Sequence, residues 1–374
     1  MFEHFQEWYD RRHDYARAWK DKDAGKVVGY FCTYVPEEIF YAAGVLPVRV
    51  LGSHEPQDVT EPHIFGMFCP FCRDVLAQGL KGRYDYLDGI TIAQSCLHIR
   101  QSFTSWQKHV PVEYSYYLCM PHHVQSLRAH PFLTAELEEL RKSVEGWTRA
   151  KIGDGELDEA IEVYNESRRL LRRFNDLRKG PNPPVSGEEA MLVSITNQMV
   201  DKRDHSVVLE DLLRRLPGRS VGNGTKKRLM ILGSENDDLP FVRMVESLNA
   251  VIVADDHCTG TRYYWNPVEP RDNRLEAIAA RYIERPACPT KDWPERTRVP
   301  HVLNLARDHR VDGAIIIQQK FCDPHECDIP AIKKAMEEAG FPCLFLEFDV
   351  TVPIGQFRIR VEAFLETLGM EDLF

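Results

Sequence analysis

Hydrophobic and polar positions alternate along the chain in two different rhythms. In the first and last thirds, short apolar runs of strand length alternate with helical patterns. The run KVVGYF predicts a buried strand, EEIFYAAG predicts a helix that Pro36 opens and Gly44 ends, and LPVRVLG predicts the next strand. Strand, short helix and strand in this order favour parallel strands joined by crossover helices.

The same rhythm continues through CPFCRDVLAQGLKG, LDGITIA and HIRQSFTSWQKHV, and it returns after the loop PGRSVGNGTKKR with RLMILGS, AVIVADD, VDGAIIIQQ and CLFLEFDV. Between these stretches, patterns such as LDEAIEVYNESRRLLRRFNDLR predict long amphipathic helices. We therefore predict an α/β protein with two doubly wound, Rossmann- or flavodoxin-like parallel-sheet domains, residues 1–130 and 225–374. A helical segment over residues 131–224 separates them.

Charge and composition narrow the function. The 374 residues include 47 Lys and Arg against 57 Asp and Glu, a net charge of −10, which gives no general attraction for nucleic acid or anionic lipid. The opening stretch MFEHFQEWYDRRHDYARAWK carries charges throughout, so we expect no secretory signal, no membrane anchor and a cytoplasmic protein. A reducing compartment gives the ten cysteines no role as disulfides.

Three cysteines follow predicted strands or open predicted helices. Cys96 follows LDGITIAQS, Cys322 follows VDGAIIIQQKF, and Cys69 precedes Pro70 at the start of a helix. Ligands of open α/β sheets collect beyond the carboxyl ends of the strands, and a helix N-terminus lowers a thiol's pKa and favours the thiolate that binds metal. These thiols, drawn from both α/β domains, are suited to hold one soft-metal centre in the cleft between them.

The other cysteines allow simpler interpretations. A free cysteine packs as a small hydrophobe, which is the role we expect for Cys32, Cys119, Cys258, Cys288 and Cys343.

Two local pairs suggest other chemistry. The pair Cys69 and Cys72 has the spacing of a thioredoxin-like redox site, and with Cys322 and Cys327 it supplies four thiolates for zinc. Both alternatives are weaker, because a compact βαβ unit does not lead into the first pair and the two pairs lie in different domains.

Polar residues beside the cysteines are further candidates. His98, Arg100, Lys320 and His325 are placed to supply positive charge or protons, and capping is the simpler role for each. The segment RLMILGSEND lacks the glycine spacing of a dinucleotide fingerprint, and the chain has no GxxxxGK[ST] phosphate loop. We therefore do not expect this chain itself to hydrolyse ATP through such a loop.

Three segments resemble the 2-hydroxyacyl-CoA dehydratase and benzoyl-CoA reductase family. They are GYFCTYVPEEIFYAAGVLPVRVLG, FCPFCRDVLAQGLKGRYDYLDGITIAQSCLHIRQSF and QQKFCDPHECDIPAIKKAMEEAGFPCLFLEFD, which cover both α/β domains. The resemblance implies that Cys69, Cys96 and Cys322 ligate a [4Fe–4S] cluster. Because cubane clusters usually have four thiolate ligands, one iron is then free for a non-cysteine ligand or the substrate carbonyl.

The chain departs from the family pattern at three positions. Cys72 and Cys327 stand where we expect residues that are not ligands, and Leu97 follows Cys96 where an Asp is common. The extra thiols leave open a fourth ligand or a larger cluster.

The resemblance also implies partners and an activity. Members of the family work as heterodimers of two related subunits on an acyl-CoA substrate, with ferredoxin as upstream donor to an activator ATPase. The segment QKFCDPHEC and the chain length are most similar to the shorter core subunit of benzoyl-CoA reductase, which reduces benzoyl-CoA to a cyclic dienoyl-CoA. The alternatives are a subunit of a 2-hydroxyacyl-CoA dehydratase, which eliminates water by radical chemistry, and a non-catalytic electron-relay subunit.

Overall fold

The computed structural model of the chain describes residues 1–23, 25–221 and 226–370. Two helices lead into four strands that alternate with helices: α1 (Glu3–Asp10), α2 (Arg12–Asp23), β1 (Lys26–Tyr30), α3 (Glu37–Ala42), β2 (Val45–Arg49), α4 (Pro70–Leu80), β3 (Gly89–Ala93), α5 (Leu97–His109) and β4 (Tyr114–Leu118). The four strands form a parallel sheet in the order β2-β1-β3-β4, which we call the first sheet.

The middle of the chain is helical, as its amphipathic pattern predicts. It comprises α6 (Ala129–Thr148), α7 (Asp154–Asp176), a short 3-10 helix (Leu177–Lys179), α8 (Gly187–Thr196) and α9 (Lys202–Arg215).

The last part of the chain returns to alternating strands and helices. Its elements are β5 (Lys227–Gly233), α10 (Leu239–Glu246), β6 (Ala250–Asp256), α11 (Thr261–Tyr264), α12 (Arg274–Glu284), α13 (Arg298–Asp308), β7 (Gly313–Gln319), α14 (Asp323–Glu338), β8 (Cys343–Phe348) and α15 (Ile354–Met370). The four strands form a second parallel sheet in the order β6-β5-β7-β8.

Two parallel sheets flanked by helices confirm the predicted fold class. The domain boundaries stay a prediction, and residues 222–225 of the proposed boundary loop, like residues 371–374 at the end of the chain, lie outside the described residues.

The helices of the middle segment share apolar cores with both sheets. Leu137 of α6 packs in one core with Val28 of the first sheet and Ile278 of α12. Val193 of α8 packs in another core with Ile231 of the second sheet. An amphipathic helix is stabilised by covering its apolar face, and here the covering surfaces belong to the two sheets.

Both sheets have the strand order that places a ligand crevice between the first and third strands. In the first sheet β1 lies between β2 and β3, and in the second sheet β5 lies between β6 and β7. Loops that leave neighbouring strands on opposite sides diverge at this point and open a crevice at the carboxyl ends. The strand order therefore predicts one such crevice for each sheet.

No helix among the described residues combines the length and the apolar character that crossing a bilayer requires.

Candidate metal centre between the two sheets

A cavity of about 100 Å³ lies where the carboxyl ends of the two sheets face each other. Residues that end or follow β1, β2 and β3 form one wall, and residues that follow β5, β6 and β7 form the other. Seven of the ten cysteines line it: Cys32, Cys69, Cys72, Cys96, Cys258, Cys288 and Cys322. Thiolates are the ligands that soft metals prefer, so this cavity is the candidate metal centre.

The three cysteines singled out in the sequence each stand immediately before a helix. Cys69 is the N-cap residue of α4, Cys96 that of α5 and Cys322 that of α14, which confirms that they open helices. We call them the N-cap cysteines. The Cys96 sulfur accepts a hydrogen bond from the backbone N–H of Ile99 at 3.5 Å, and the thiols of Cys69 and Cys322 are hydrogen-bond partners. Three helix starts therefore meet at one cavity.

The pKa values of these thiols run against the sequence-based expectation. Burial raises the pKa of Cys96. The hydrogen bond that Cys322 donates to Cys69, together with burial, raises the pKa of Cys322. The bond to Cys322 lowers the pKa of Cys69, but a bond with Cys72 and burial outweigh it. The expected lowering is wrong because desolvation of a thiolate exceeds the stabilisation by a helix N-terminus. Metal ligation supplies the missing positive charge and deprotonates such thiols.

The described residues do not form a ready-made site for a single metal ion. Within residues 1–23, 25–221 and 226–370, no group of three or more His, Cys, Asp or Glu side chains surrounds one metal ion. A cluster spreads its thiolates over several irons and so needs more widely separated sulfurs. Cys72 is buried in the cavity wall, whereas Cys327 is exposed on α14, so the four-thiolate zinc arrangement has no fourth ligand at the cavity.

His98 connects the segments that carry the N-cap cysteines. Its Nδ1 accepts a hydrogen bond from the backbone N–H of Cys69 at 3.1 Å, and its Nε2 lies 3.8 Å from Asp323 Oδ2. Because Nδ1 is the acceptor, the neutral ring carries its proton on Nε2. His98 itself follows Cys96 on α5, so one imidazole links all three segments. This geometry favours a positioning role.

His325 lines the cavity and is held neutral. Burial lowers its pKa well below the ordinary value, and Arg298 and Arg262 lower it further. Its Nδ1 lies 3.5 Å from Arg298 Nη1. The lowered pKa favours the neutral imidazole, which brings no positive charge of its own to the cavity. A catalytic role for His325 stays a prediction.

The other two polar candidates take part in structural contacts. Lys320 pairs with Asp349 at 3.2 Å, and Arg100 lies over the ring of Tyr117 at 5.7 Å from its centroid. Neither is among the residues that line the cavity wall.

Two charged residues in the cavity wall were not predicted from the sequence. Arg49, at the end of β2, is buried, and its Nε and Nη1 have no hydrogen-bond partner within the described residues. Glu235, which follows β5, is also buried, and its Oε1 has no hydrogen-bond partner in the described part of the chain. Burial and the nearby Asp237 raise the pKa of Glu235 well above the ordinary value. An arginine inside the apolar run LPVRVLG and a Glu just beyond a strand were the available signals.

Three further cavity cysteines were expected to serve packing. Cys32 follows β1, Cys258 follows β6 and Cys288 follows α12, and all three line the cavity. We call them the loop cysteines. Cys32 and Cys258 follow predicted strands, as Cys96 and Cys322 do, and this was the available signal. Neither of them directly opens a helix, and the local sequence marks Cys288 in neither way.

Polar contacts between the two sheets hold the walls of the cavity. His54 Nε2 and Asp237 Oδ1 are 2.6 Å apart, and Arg73 Nη2 donates to Asp349 Oδ1 at 2.6 Å. Burial lowers the pKa of His54, but the carboxylate of Asp237 outweighs this and raises it to about 10, so the pair is ionised at neutral pH. The two sheets are thereby tied together beside the thiols.

Apolar side chains next to the N-cap cysteines are exposed. Met67, Leu97 and Phe321 are 65%, 57% and 42% exposed, and each lies within two residues of an N-cap cysteine. Exposed apolar side chains of this size are candidates for contact with a partner.

Fold and site together define an α/β protein with a thiol-lined cavity between two parallel sheets. Residues 32–368 match the model of the family described as 2-hydroxyglutaryl-CoA dehydratase, D-component. The chain belongs to this family, which confirms the resemblance seen in the sequence.

Similar proteins include subunits of both dehydratases and a reductase. The chain is 26% identical to the (R)-phenyllactyl-CoA dehydratase beta subunit of Clostridium sporogenes, with 98% of each chain covered. It is 27% identical to a benzoyl-CoA reductase subunit of Thauera aromatica, covering 93% of this chain and 92% of the relative. It is also 27% identical to the (R)-2-hydroxyglutaryl-CoA dehydratase beta subunit of Acidaminococcus fermentans, with 92% of each covered.

Among solved structures, a manganese-bound periplasmic metal-binding protein from Candidatus Liberibacter asiaticus matches with a TM-score of 0.22 and 12% identity, covering 92% of this chain and 99% of that one. A likeness of this size carries no argument about fold or function.

Proposed function

We propose that this chain is the iron–sulfur subunit of an ATP-dependent benzoyl-CoA reductase, which dearomatises benzoyl-CoA to a cyclic dienoyl-CoA. The observation that carries the proposal is the meeting of three N-cap cysteines, from both sheets, at one buried cavity. The relative from Thauera aromatica and the segment QKFCDPHEC support the choice of a reductase.

The N-cap cysteines would hold a [4Fe–4S] cluster. When bound with three protein thiolates, such a cluster supplies single-electron transfer and one iron that acts as a Lewis acid. The family resemblance implies this cofactor, and the donor chemistry of the cavity is compatible with it.

Residues of the chain itself prepare the cavity for charge transfer. Arg49 places a buried guanidinium beside the thiols, where it stabilises negative charge that enters the cavity. Glu235 lines the same cavity with an unpartnered carboxyl oxygen, and burial raises its pKa, which favours the protonated form that can donate to a group bound there. His98 orients the starts of α4 and α14.

The subunit would work as part of a larger assembly. The relatives are named as subunits of their enzymes, and the exposed Met67, Leu97 and Phe321 form a surface that a homologous second core subunit would cover. An activator ATPase, with ferredoxin as upstream donor, would deliver low-potential electrons.

A subunit of a 2-hydroxyacyl-CoA dehydratase is the second candidate. Two dehydratase beta subunits match this chain at 26% and 27% identity over more than nine-tenths of its length, so identity does not separate the two activities. The two reactions differ in outcome, because dehydration leaves the substrate without net reduction.

The first experiment determines the cofactor. The chain is purified without oxygen together with its partner subunit, and iron, acid-labile sulfide and electron paramagnetic resonance spectra are measured. We expect iron and sulfide in equal amounts, and their loss in Cys96→Ser but not in Cys327→Ser, since Cys327 is an exposed cysteine outside the cavity. Absence of iron from the wild-type complex overturns the proposal.

The second experiment determines the reaction. The activated complex is incubated with benzoyl-CoA and, separately, with a 2-hydroxyacyl-CoA, and the products are identified. Ring reduction is expected, and dehydration without ring reduction selects the second candidate. If substrate binding changes only the partner's cluster spectrum, the chain is an electron relay.

A further inference from the structure

We propose that the loop cysteines Cys32, Cys258 and Cys288 bind a second iron–sulfur unit in the same cavity, beside the unit assigned to the N-cap cysteines. The inference rests on the proposed iron–sulfur chemistry, but not on the choice between reductase and dehydratase. It assigns a chemical role to thiols that the first cluster leaves unused.

Like the N-cap cysteines, the loop cysteines belong to segments of both α/β units. Cys32 leaves the first sheet after β1, and Cys258 leaves the second sheet after β6. Cys288 lies beyond α12, in a loop that crosses from the second sheet to the first, where its backbone N–H donates to Tyr34 Oη at 3.0 Å. The second set is therefore also assembled from both halves of the chain.

The two sets adjoin each other. Cys32 and Cys258 interact electrostatically, and Cys288 interacts with both Cys96 and Cys322. Cys288 thus stands at the border between the sets, and all six thiols face one space. A single continuous site fits these positions better than two separate metal sites.

Buried cations adjoin the loop cysteines. Arg49 interacts with Cys258 and Cys32, Arg262 with Cys258 and Cys288, and Lys291 with Cys288 and Cys32. The side chains of all three cations are buried. Arg262 is paired with Asp256 at 3.4 Å, so its charge is already balanced.

The other two cations form no ion pair in the part of the chain that the structure describes. Glu235 interacts electrostatically with Arg49, but burial raises the pKa of this carboxyl group and so favours its neutral form. Arg49 leaves Nε and Nη1 without a hydrogen bond, and Lys291 Nζ donates only to the carbonyls of Gln94 and Pro121, at 2.9 and 3.0 Å. Burial of an unpaired cation is strongly unfavourable. An anionic thiolate-ligated unit between them supplies the opposite charge.

Packing alone does not explain this arrangement. Cys32 and Cys288 pack against an apolar core, as small hydrophobes do. They also adjoin the buried cations Arg49 and Lys291, which apolar packing does not require. A single ion also fits poorly, because the described side chains do not converge on one ion. Iron–sulfur units are the thiolate-bound centres that span several sulfurs. A second iron–sulfur unit would let the chain hold one more electron.

The test is the iron content of the anaerobically purified complex in matched variants. If the wild-type chain holds two cubane-sized units, Cys258→Ser and Cys32→Ser lose about four irons per chain relative to wild type. Their spectra keep the signal of the unit at the N-cap cysteines. Cys327→Ser and Cys119→Ser, cysteines outside the cavity, retain the wild-type iron content.

Comparison of the two cysteine sets separates this inference from the proposed function. If the loop variants keep all their iron while Cys96→Ser loses it, the second unit is overturned and the proposed function stands. If no variant and no wild type holds iron, both are overturned. Only this chain carries the substitution. Iron bound by a partner subunit is therefore the same in every sample and cancels in the difference from wild type.

Two variants at Arg49 test the charge argument without removing a thiol. Arg49→Met is expected to lose the same iron as Cys258→Ser, and Arg49→Lys to retain it, because lysine keeps the positive charge. Circular dichroism confirms that each variant is folded. Wild-type iron content in a folded Arg49→Met variant contradicts the role of this cation.

Discussion

The two α/β units share one topology but supply different parts of the cavity. The strand order is β2-β1-β3-β4 in the first sheet and β6-β5-β7-β8 in the second, which is the same order within each unit. In each unit a cysteine stands three residues after the third strand of that unit and is the N-cap residue of the next helix. These cysteines are Cys96 and Cys322. The two cysteines therefore occupy corresponding positions in the two units. The reason is that the shared topology opens a crevice at the point where the strand order reverses, next to the third strand of each unit.

The units differ in the connection between their second and third strands. In the first unit this connection carries α4 and Cys69. In the second it carries α11, α12 and α13, and α12 packs against α6 in a core shared with the first sheet. Arg285, just beyond α12, donates to the carbonyl of Thr33 at 2.5 Å. Neither unit therefore encloses the cavity alone.

The largest effect is expected from the equivalent cysteines. If Cys96 and Cys322 ligate one cluster as proposed, Cys96→Ser and Cys322→Ser should each lose cluster iron and at least about 100-fold in activity. Iron analysis and activity of the assembled enzyme are the measurements. A variant pair in which only one loses iron shows that the units are not equivalent.

The next effect concerns a buried ion network in the second unit. Arg298 donates to Asp256 at 2.7 Å and to Asp328 at 2.9 Å, and all three are buried. Arg298→Met removes the arginine that joins the two carboxylates and leaves Asp256 paired with Arg262 and Asp328 paired with Arg296. It should lower the free energy of unfolding by about 3 kcal/mol, because each buried carboxylate loses one of its two arginine partners. Chemical denaturation measures it.

The matched control for this network is Arg274→Met, which breaks a surface pair with Asp158 and a hydrogen bond to the carbonyl of Asp272. It should leave stability unchanged, because exposed pairs contribute little. Equal losses in Arg298→Met and Arg274→Met contradict the importance of burial.

A smaller effect is expected at the end of the first strand of the second sheet. Gly233 has φ +125°, and a Cβ there would lie 2.1 Å from the carbonyl oxygen of Ile317. The first sheet has Tyr30 at the corresponding strand end, in ordinary backbone. Gly233→Ala should cost about 2–3 kcal/mol, because strain and a backbone clash add.

Gly340→Ala separates the two causes, since Gly340 also has positive φ but open space around a Cβ. We expect a loss of about 1 kcal/mol there, from backbone strain alone. A Gly233→Ala variant no less stable than Gly340→Ala shows that β5 and β7 can separate.

The smallest effect concerns the His54–Asp237 link between the units. The pKa of His54 is raised from 6.5 to about 10, so its contribution is complete below pH 6.5 and is lost as pH rises through about 10. His54→Gln should remove roughly 1–2 kcal/mol of this pH-dependent stability, allowing for its partial exposure. Thermal unfolding from pH 6 to pH 10 measures it, with Asp237→Asn as the matching variant. Parallel pH profiles in wild type and variant contradict the link.

Much of the fold and half of the site were predictable because their signals are local. Apolar runs of strand length, separated by helical periodicity, predicted both parallel sheets. A cysteine directly after a strand, or directly before Pro70, predicted the N-cap positions. These features depend on neighbouring residues only, so the sequence by itself determines them.

The tertiary structure alone decided what surrounds those cysteines. Cys32 and Cys258 meet at the cavity because the carboxyl ends of the two sheets face each other, and Cys288 because its loop contacts Tyr34 of the first unit. The packed sheets bury Arg49 with two nitrogens unpartnered within the described residues. Burial also raises the thiol pKa of Cys96, where the local helix start predicted the opposite. Desolvation depends on everything that packs around a group, and the sequence of one segment does not contain that information.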